Sequence, residues 1–454
     1  MADMGKLTTT LRASLAGGAV VDGDAAYEGA RHVFNALIDK RPAVIATCLG
    51  TADVQAAVRA AREHNLEMSV RGGGHNVAGT ALCHGGLAIN LTRMRGVLVD
   101  PSARRARAQA GATWGDYNRE TQVYGLASTG GVVSTTGVAG LTLGGGLGWL
   151  MSSQGLAADT LRAAEIVTAS GDVLRVSADE HPDLFWALRG GGGNFGVVTS
   201  FDYEVKPVGP IVIGGLVAHP LAAARDVLRF YRDVTASLPD DLGVFAGLVH
   251  APDGSGAKLV AIVVCHIGDV EAAARAIEPI RRFGSPVLDA IGPMPYSVVN
   301  TLFDAGFPWG ALNYWKANFL RALSDEAIDT AIDAFAACPS PMNALFLEHF
   351  HGAVSRVDPT ATAFPHRTPG YNQMVIGVWT DPADTAKNIA WVRNTYAALA
   401  PQFAQGRYMN YLNVDEVGQT QAEATFGPNA ARLREVKRRY DPDNVFHLNH
   451  NIVP

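Results

Sequence analysis

The sequence predicts an α+β protein of more than one part, and three observations predict it. Strand-like and helix-like patterns alternate along the whole chain, 49 glycines gather in a few runs, and the texture changes near residue 207. At 454 residues the chain is long enough for two domains or one composite unit with a sizeable core. Apolar residues make up 48% and charged residues 18%, a globular balance.

The first part opens with a strand, helix, strand pattern. Ala43–Ala46 is a short apolar run, Thr51-Ala-Asp53 offers a helix start, and Val54, Ala57, Val58 and Ala61 recur at helical spacing. Leu66–Val70 reads as a strand that runs into Arg71-Gly-Gly-Gly-His75, and Leu87–Leu91 as another. Val97–Asp100 and Arg105–Ala110 look like two arms of a hairpin, the second alternating strictly. Glycine then dominates: Gly130-Gly131, Gly137, Gly140, and Gly144-Gly145-Gly146-Leu147-Gly148. Glu165–Thr168 and Val173–Val176 read as strands around a Gly171-Asp172 turn. Asp183–Leu188 looks helical, Gly190–Gly193 breaks it, and Val197–Val205 resumes as strand.

From about 207 helical patterns lengthen, at Leu221–Leu238 and Val270–Phe283. Strands at Leu259–Cys265, Tyr314–Phe319, Ala344–His351 and Gln373–Trp379 alternate with them, which predicts a mixed α/β domain with a largely antiparallel sheet. The expected parts are 1–206, 207–407 and a tail, 408–454, rich in Asn and Tyr.

Several classes are disfavoured. The net charge is -6 and the cations are scattered, whereas nucleic-acid binding asks for a basic stripe. No apolar run approaches the roughly 20 residues of a membrane span. The N-terminus has no secretory pattern, so a cytoplasmic location is expected. Cys48, Cys83, Cys265 and Cys338 are far apart and suit neither a disulfide framework nor a thiolate zinc site. Gly191-Gly-Gly193-Asn-Phe-Gly196 fits the dinucleotide fingerprint in letters, but a helix precedes it and a strand follows, the reverse of what nicotinamide binding needs. No P-loop is present.

The segment Arg71-Gly72-Gly73-Gly74-His75-Asn76 carries the chemistry. Three glycines let the backbone approach a phosphate closely, and a pyrophosphate-bearing cofactor fits such a nest. The segment resembles the FAD-attachment loop of the berberine-bridge-enzyme-like flavoproteins of the vanillyl-alcohol-oxidase superfamily. The resemblance continues through Leu143-Gly-Gly-Gly-Leu-Gly-Trp149, Gln154-Gly-Leu-Ala-Ala-Asp159, Asp183-Leu-Phe-Trp-Ala-Leu-Arg-Gly190, Gly193-Asn-Phe-Gly196, Tyr408-Met-Asn410-Tyr411 and Tyr440-Asp-Pro-Asp-Asn444 to Asn449-His-Asn451. Each motif is weak alone, and the ordered set is specific.

The resemblance implies a two-part FAD-binding domain of the vanillyl-alcohol-oxidase type, built from the first part and the tail, with the middle part covering the flavin ring. It implies a covalent bond from His75 to the flavin 8α-carbon. Cofactor contact is expected from Arg71, Gly72, Gly73, Gly74 and Asn76, from Thr136, Gly137, Gly140, Leu141, Gly144, Gly145, Gly146, Gly148 and Asp159, and from Val198, Asn410 and Asn449. Some members add a cysteinyl bond; the matching position here is Val133, so one covalent link is expected. Trp149 and Trp186 read as packing residues.

A flavin oxidation needs a base for the proton. Tyr408 is the first candidate, with Tyr411, His349 and His351 beside it. Alternation puts the two histidines on one face of their strand and Glu348 on the other. His366-Arg367 offers a charge that could bind an anion or lower a base's pKa. The expected substrate is a small, fairly apolar alcohol, amine or polycyclic metabolite, with dioxygen as acceptor; a homodimer would be unremarkable. Two rival readings are a metal-dependent oxygenase using His349 and His351, with His366 as a third ligand, and a non-catalytic flavin-binding protein.

Overall fold

The computed structural model describes residues 4–416 and 424–454. Its first sheet has the order β1-β2-β4-β3, from Ala19–Val20 (β1), Val44–Thr47 (β2), Met68–Arg71 (β3) and Leu87–Asn90 (β4). β2, β4 and β3 are parallel and β1 adds an antiparallel edge. The crossover from β2 to β3 is the helix Thr51–Glu63, which buries Val54, Ala57, Val58 and Ala61. Buried on both faces, the parallel strands read as plain apolar runs.

The second sheet is antiparallel, ordered β5-β6-β10-β8-β9 from Val97–Asp100 (β5), Arg105–Gln109 (β6), Leu161–Val167 (β8), Val173–Ser177 (β9) and Val197–Glu204 (β10). In β6 the arginines 105 and 107 are exposed while Ala106 and Ala108 are buried, as the alternation predicts. A small ribbon of Leu126–Ala127 (β7) and Lys206–Pro207 (β11) lies beside it. One apolar core joins both sheets and takes in Met409, Leu433, Val436, Phe446 and Ile452 from the tail.

The middle of the chain forms an eight-stranded antiparallel sheet. Its strands are Ile211–Pro220 (β12), Leu242–His250 (β13), Lys258–His266 (β14), Leu288–Asp289 (β15), Gly292–Pro295 (β16), Leu312–Leu320 (β17), Ala344–Phe350 (β18) and Gly370–Trp379 (β19). They run β15-β12-β14-β13-β18-β19-β17, with β16 also on β12. Four helices, Ala224–Thr235, Val270–Arg282, Asp325–Ala336 and Thr385–Leu399, pack their apolar stripes with one face of this sheet in a core of its own. β12 and β13 were not among the strands expected. Gly214-Gly215 interrupts β12, and β13 is buried on both faces, so neither shows clean alternation.

Candidate active site

A cavity lies between the first part and the face of the eight-stranded sheet that the helices leave free. Glycine-rich backbone from 72–76, 131–144 and 192–198 lines it together with tail residues, while β13, β17, β18 and β19 supply apolar side chains. At Gly73, Gly137 and Gly144 this backbone is packed so closely that no side chain fits. A Cβ on Gly73 would stand 2.5 Å from Gly137 Cα, and one on Gly144 would stand 2.1 Å from Asn410 Oδ1. Asn410 is held there by donating to Leu141 C=O at 3.1 Å and to Tyr408 Oη at 2.8 Å. Asn449 donates to Gly193 C=O at 2.9 Å. Gly72, Gly73, Gly74, His75, Asn76, Thr136, Gly137, Gly140, Leu141, Gly144, Val198, Asn410 and Asn449 all border the cavity.

His75 gives the cavity a reactive group. Burial pushes its pKa down to about 4, so the imidazole is neutral at ordinary pH. Its Nε2 is shielded from solvent and has no hydrogen-bond partner. A glycine-rich backbone trough, too close for a Cβ at Gly73, Gly137 and Gly144, with a neutral imidazole nitrogen left unbonded beside it, fits a dinucleotide flavin.

Five expected contacts do not border the cavity, and each has another task. Arg71 donates through Nη1 to Ala30 C=O at 2.6 Å. Gly145 takes φ +113 where a Cβ would meet the Phe364 ring at 2.6 Å. The N–H of Gly146 donates to Tyr408 Oη at 3.2 Å. Gly148 passes Gly130 so closely that a Cβ would lie 1.7 Å from its carbonyl oxygen. Asp159 caps Leu156 N–H at 2.7 Å and pairs with Arg367 at 2.7 and 2.8 Å. That pair also occupies Arg367, which is no free anion site.

The candidate bases sort differently from the sequence expectation. On β18, Phe346 and Glu348 face the cavity, whereas Leu345 and Leu347 face the helices. The two histidines share the helix side, as alternation requires, and so miss the cavity. Their rings stack with centroids 4.7 Å apart, and His349 lies 5.1 Å from the Tyr371 ring. Burial pushes His349 down to about 3. His366 is elsewhere, its Nε2 bonded to Thr425 C=O at 2.8 Å. Among the described residues no group of three or more His, Cys, Asp or Glu is placed to hold a metal, so the metal reading has no site.

Tyr408 is fully buried and does not line the cavity either. Its Oη accepts from Gly146 N–H, Leu147 N–H and Asn410 Nδ2, and burial drives its pKa upward. It is a clasp on the glycine run. Tyr411 does reach the cavity, where its hydroxyl donates to Glu348 Oε1 at 2.8 Å. Asn372 Nδ2 donates to Glu348 Oε2 at 2.8 Å. Burial raises Glu348 to about 7, against the pull of these two donors. Glu348 is the one carboxylate among the described lining residues. The sequence reading missed it as a site residue, although the alternation that paired the histidines had set it on the opposite face.

Residues 42–177 match a family model described as an FAD binding domain, and residues 407–453 match one described as berberine and berberine like. The chain is 33% identical over 466 residues to (R)-6-hydroxynicotine oxidase of Paenarthrobacter nicotinovorans, covering 99% of each. It is 31% identical to an FAD-linked oxidoreductase of Dictyostelium discoideum, covering 88% of this chain and 86% of that one. The chain belongs to the berberine-bridge-like family of FAD-linked oxidoreductases.

The solved structure of 6-hydroxy-D-nicotine oxidase from Arthrobacter nicotinovorans superposes with a TM-score of 0.88 at 30% identity, covering 97% of this chain and 98% of that one. The protein is thus an FAD-dependent oxidoreductase with the family's two-domain fold. The family's tail segment is tied down here by a buried ion pair. Lys437 Nζ donates to Asp441 Oδ2 at 2.6 Å, Asn194 C=O at 2.7 Å and Phe446 C=O at 2.9 Å, and both side chains are fully buried. Asn194 Nδ2 donates to His450 C=O at 3.2 Å, so the Gly193-Asn-Phe-Gly196 motif anchors the tail. Val133 lines the cavity and carries no sulfur. Trp149 is a packing residue, buried against Phe245 and Phe303 at 4.9 and 5.3 Å.

Proposed function

We propose that this enzyme oxidises a small, largely apolar molecule at a carbon bearing oxygen or nitrogen, with FAD held by one bond to His75 and Glu348 as general base. The observation that carries the reading is the pairing of Glu348 with Tyr411 on the cavity wall. A carboxyl poised at about 7 has the basicity that general-base catalysis near neutral pH favours. The carboxylate takes the proton from the substrate O–H or N–H, directly or through the Tyr411 hydroxyl 2.8 Å away. FAD held at the glycine trough would supply a two-electron acceptor for the accompanying hydride, and dioxygen would be the onward acceptor.

The wall sets the substrate class. Phe245, Phe303, Phe307, Trp315, Phe346 and Met374 offer flat apolar surface, and among the described residues no Lys or Arg borders the cavity. An anionic substrate would meet Glu348 with nothing to balance it, so a neutral or singly cationic molecule with an aromatic or alicyclic body fits best. The similarity to a hydroxynicotine oxidase supports an alcohol or amine of that size.

Acid precipitation tests the covalent bond. Flavin should pellet with the wild-type chain, with peptide mass placing it on His75, and should stay in the supernatant for His75→Ala. Flavin in the wild-type supernatant would refute the bond. A panel of aromatic alcohols and amines, read by peroxide formation, tests the oxidase reading.

A further inference from the structure

Phe34 does not line the cavity, yet it backs the ring that does. Its ring lies parallel to the His75 imidazole, centroids 3.9 Å apart and planes 13° apart. It is fully buried, with the rings of Trp309 and Trp315 in T-shaped contact, centroids 6.1 Å from its own. Its N–H donates to Gly74 C=O at 3.0 Å, next to His75, and its C=O accepts from Gly310 N–H at 3.2 Å. Asn35 continues the tie. Its amide donates to Val77 C=O at 2.8 Å and Asn313 C=O at 2.9 Å, and its Oδ1 accepts from Asn313 N–H at 2.9 Å. The attachment loop is therefore clamped on both sides of His75, through Gly74 and Val77, to the start of β17.

An sp² nitrogen reacts along its in-plane lone pair, so the plane of the imidazole sets the line of attack. The χ2 torsion that turns this ring is broad. Nε2 makes no hydrogen bond that would fix it. The other ring nitrogen bonds only within the residue, to the His75 backbone, and the Phe34 face is the flat surface packed against the ring.

We propose that Phe34 is a positioning residue for flavin attachment, fixing the His75 ring so that its nitrogen meets the flavin 8α-carbon. The inference rests on the covalent reading above. In that step an N–C bond forms, one hydrogen leaves the methyl carbon and one the imidazole, both as protons, and the electron pair released passes to dioxygen, giving peroxide. Phe34 takes no part in the bond-making. Its contribution is orientation, and a modest misplacement slows such reactions strongly.

The test uses the full chain made under riboflavin limitation, then given FAD in air. The readouts are the time course of acid-precipitable flavin and, separately, FAD affinity from the spectral change on binding. Phe34→Leu fills the space without a ring face, and Phe34→Tyr keeps one. Attachment by Phe34→Leu should be about 3- to 10-fold slower, the loss expected from one aromatic stack, while Phe34→Tyr stays within about 2-fold of wild type. FAD affinity should be alike in all three. Phe34→Met, with a side chain that fits irregular gaps, is the second non-aromatic variant if Leu does not fold. Attachment by the non-aromatic variants at the wild-type rate overturns the role of Phe34 while leaving the covalent bond intact. A wild-type chain that never attaches flavin overturns both.

Discussion

Replacing Glu348 by Gln should remove most activity and, above neutral pH, make the protein more stable. The carboxyl ordinarily titrates at 4.5 and is held near 7 by burial. Because the folded-state value is raised, the folded protein holds this proton to higher pH than the unfolded chain does. Its contribution to stability is complete below about 4.5 and is lost as pH rises through about 7. At about 1.4 kcal/mol per unit of pH, that loss comes to about 3 kcal/mol. Gln keeps an amide in the same space and loses nothing with pH. The stability gap in favour of Glu348→Gln should therefore widen by about 3 kcal/mol between about pH 4.5 and pH 8, since every other titrating group is common to both proteins. Urea midpoints across that range measure it. In the wild type, kcat/KM should rise with pH and level off above about 7, because the base works as the carboxylate. The variant should lose about 10²- to 10⁴-fold in kcat/KM, the usual contribution of a positioned base. Activity within about 3-fold of wild type, or a stability gap that does not change with pH, would refute the assignment of Glu348.

Other residues give separate checks. Tyr408→Phe leaves the N–H groups of Gly146 and Leu147 without their acceptor, so a loss of about 1–3 kcal/mol in urea midpoint is expected, with no displacement of the pH profile. His351→Gln lies behind the sheet and should leave kcat/KM within about 3-fold of wild type; a large loss would return the histidine pair to the list of candidate bases. Lys437→Met strands the buried Asp441 carboxylate, at a cost of about 3–5 kcal/mol, and should loosen the tail toward limited proteolysis.

Much of this was legible locally. The helix Thr51–Glu63 begins at the predicted Thr51, and its buried stripe is the one its spacing shows. The order of elements around Gly191–Gly196, helix before and strand after, holds in the fold and excludes a nicotinamide turn there. Strands β17, β18 and β19 fall where their apolar runs lie, within about one to three residues. Several of the motif glycines mark places where the chain packs too closely against another segment for a side chain. What their letters do not distinguish is a glycine that borders the cavity, such as Gly144, from one that faces Gly130 or Phe364 away from it, such as Gly148 or Gly145.

The sequence by itself determined the family, the cofactor class and the sharing of faces along each strand, because those depend on neighbouring residues and on motif order. The tertiary structure alone decided which face of β18 meets the cavity. Both faces are buried, so alternation pairs His349 with His351 and opposes Glu348 without saying which side carries helices. It also brought Phe34 against His75 and kept Tyr408 out of the cavity wall. Each of those outcomes depends on which layer packs over a given face, and that is set by contacts between segments far apart in the chain.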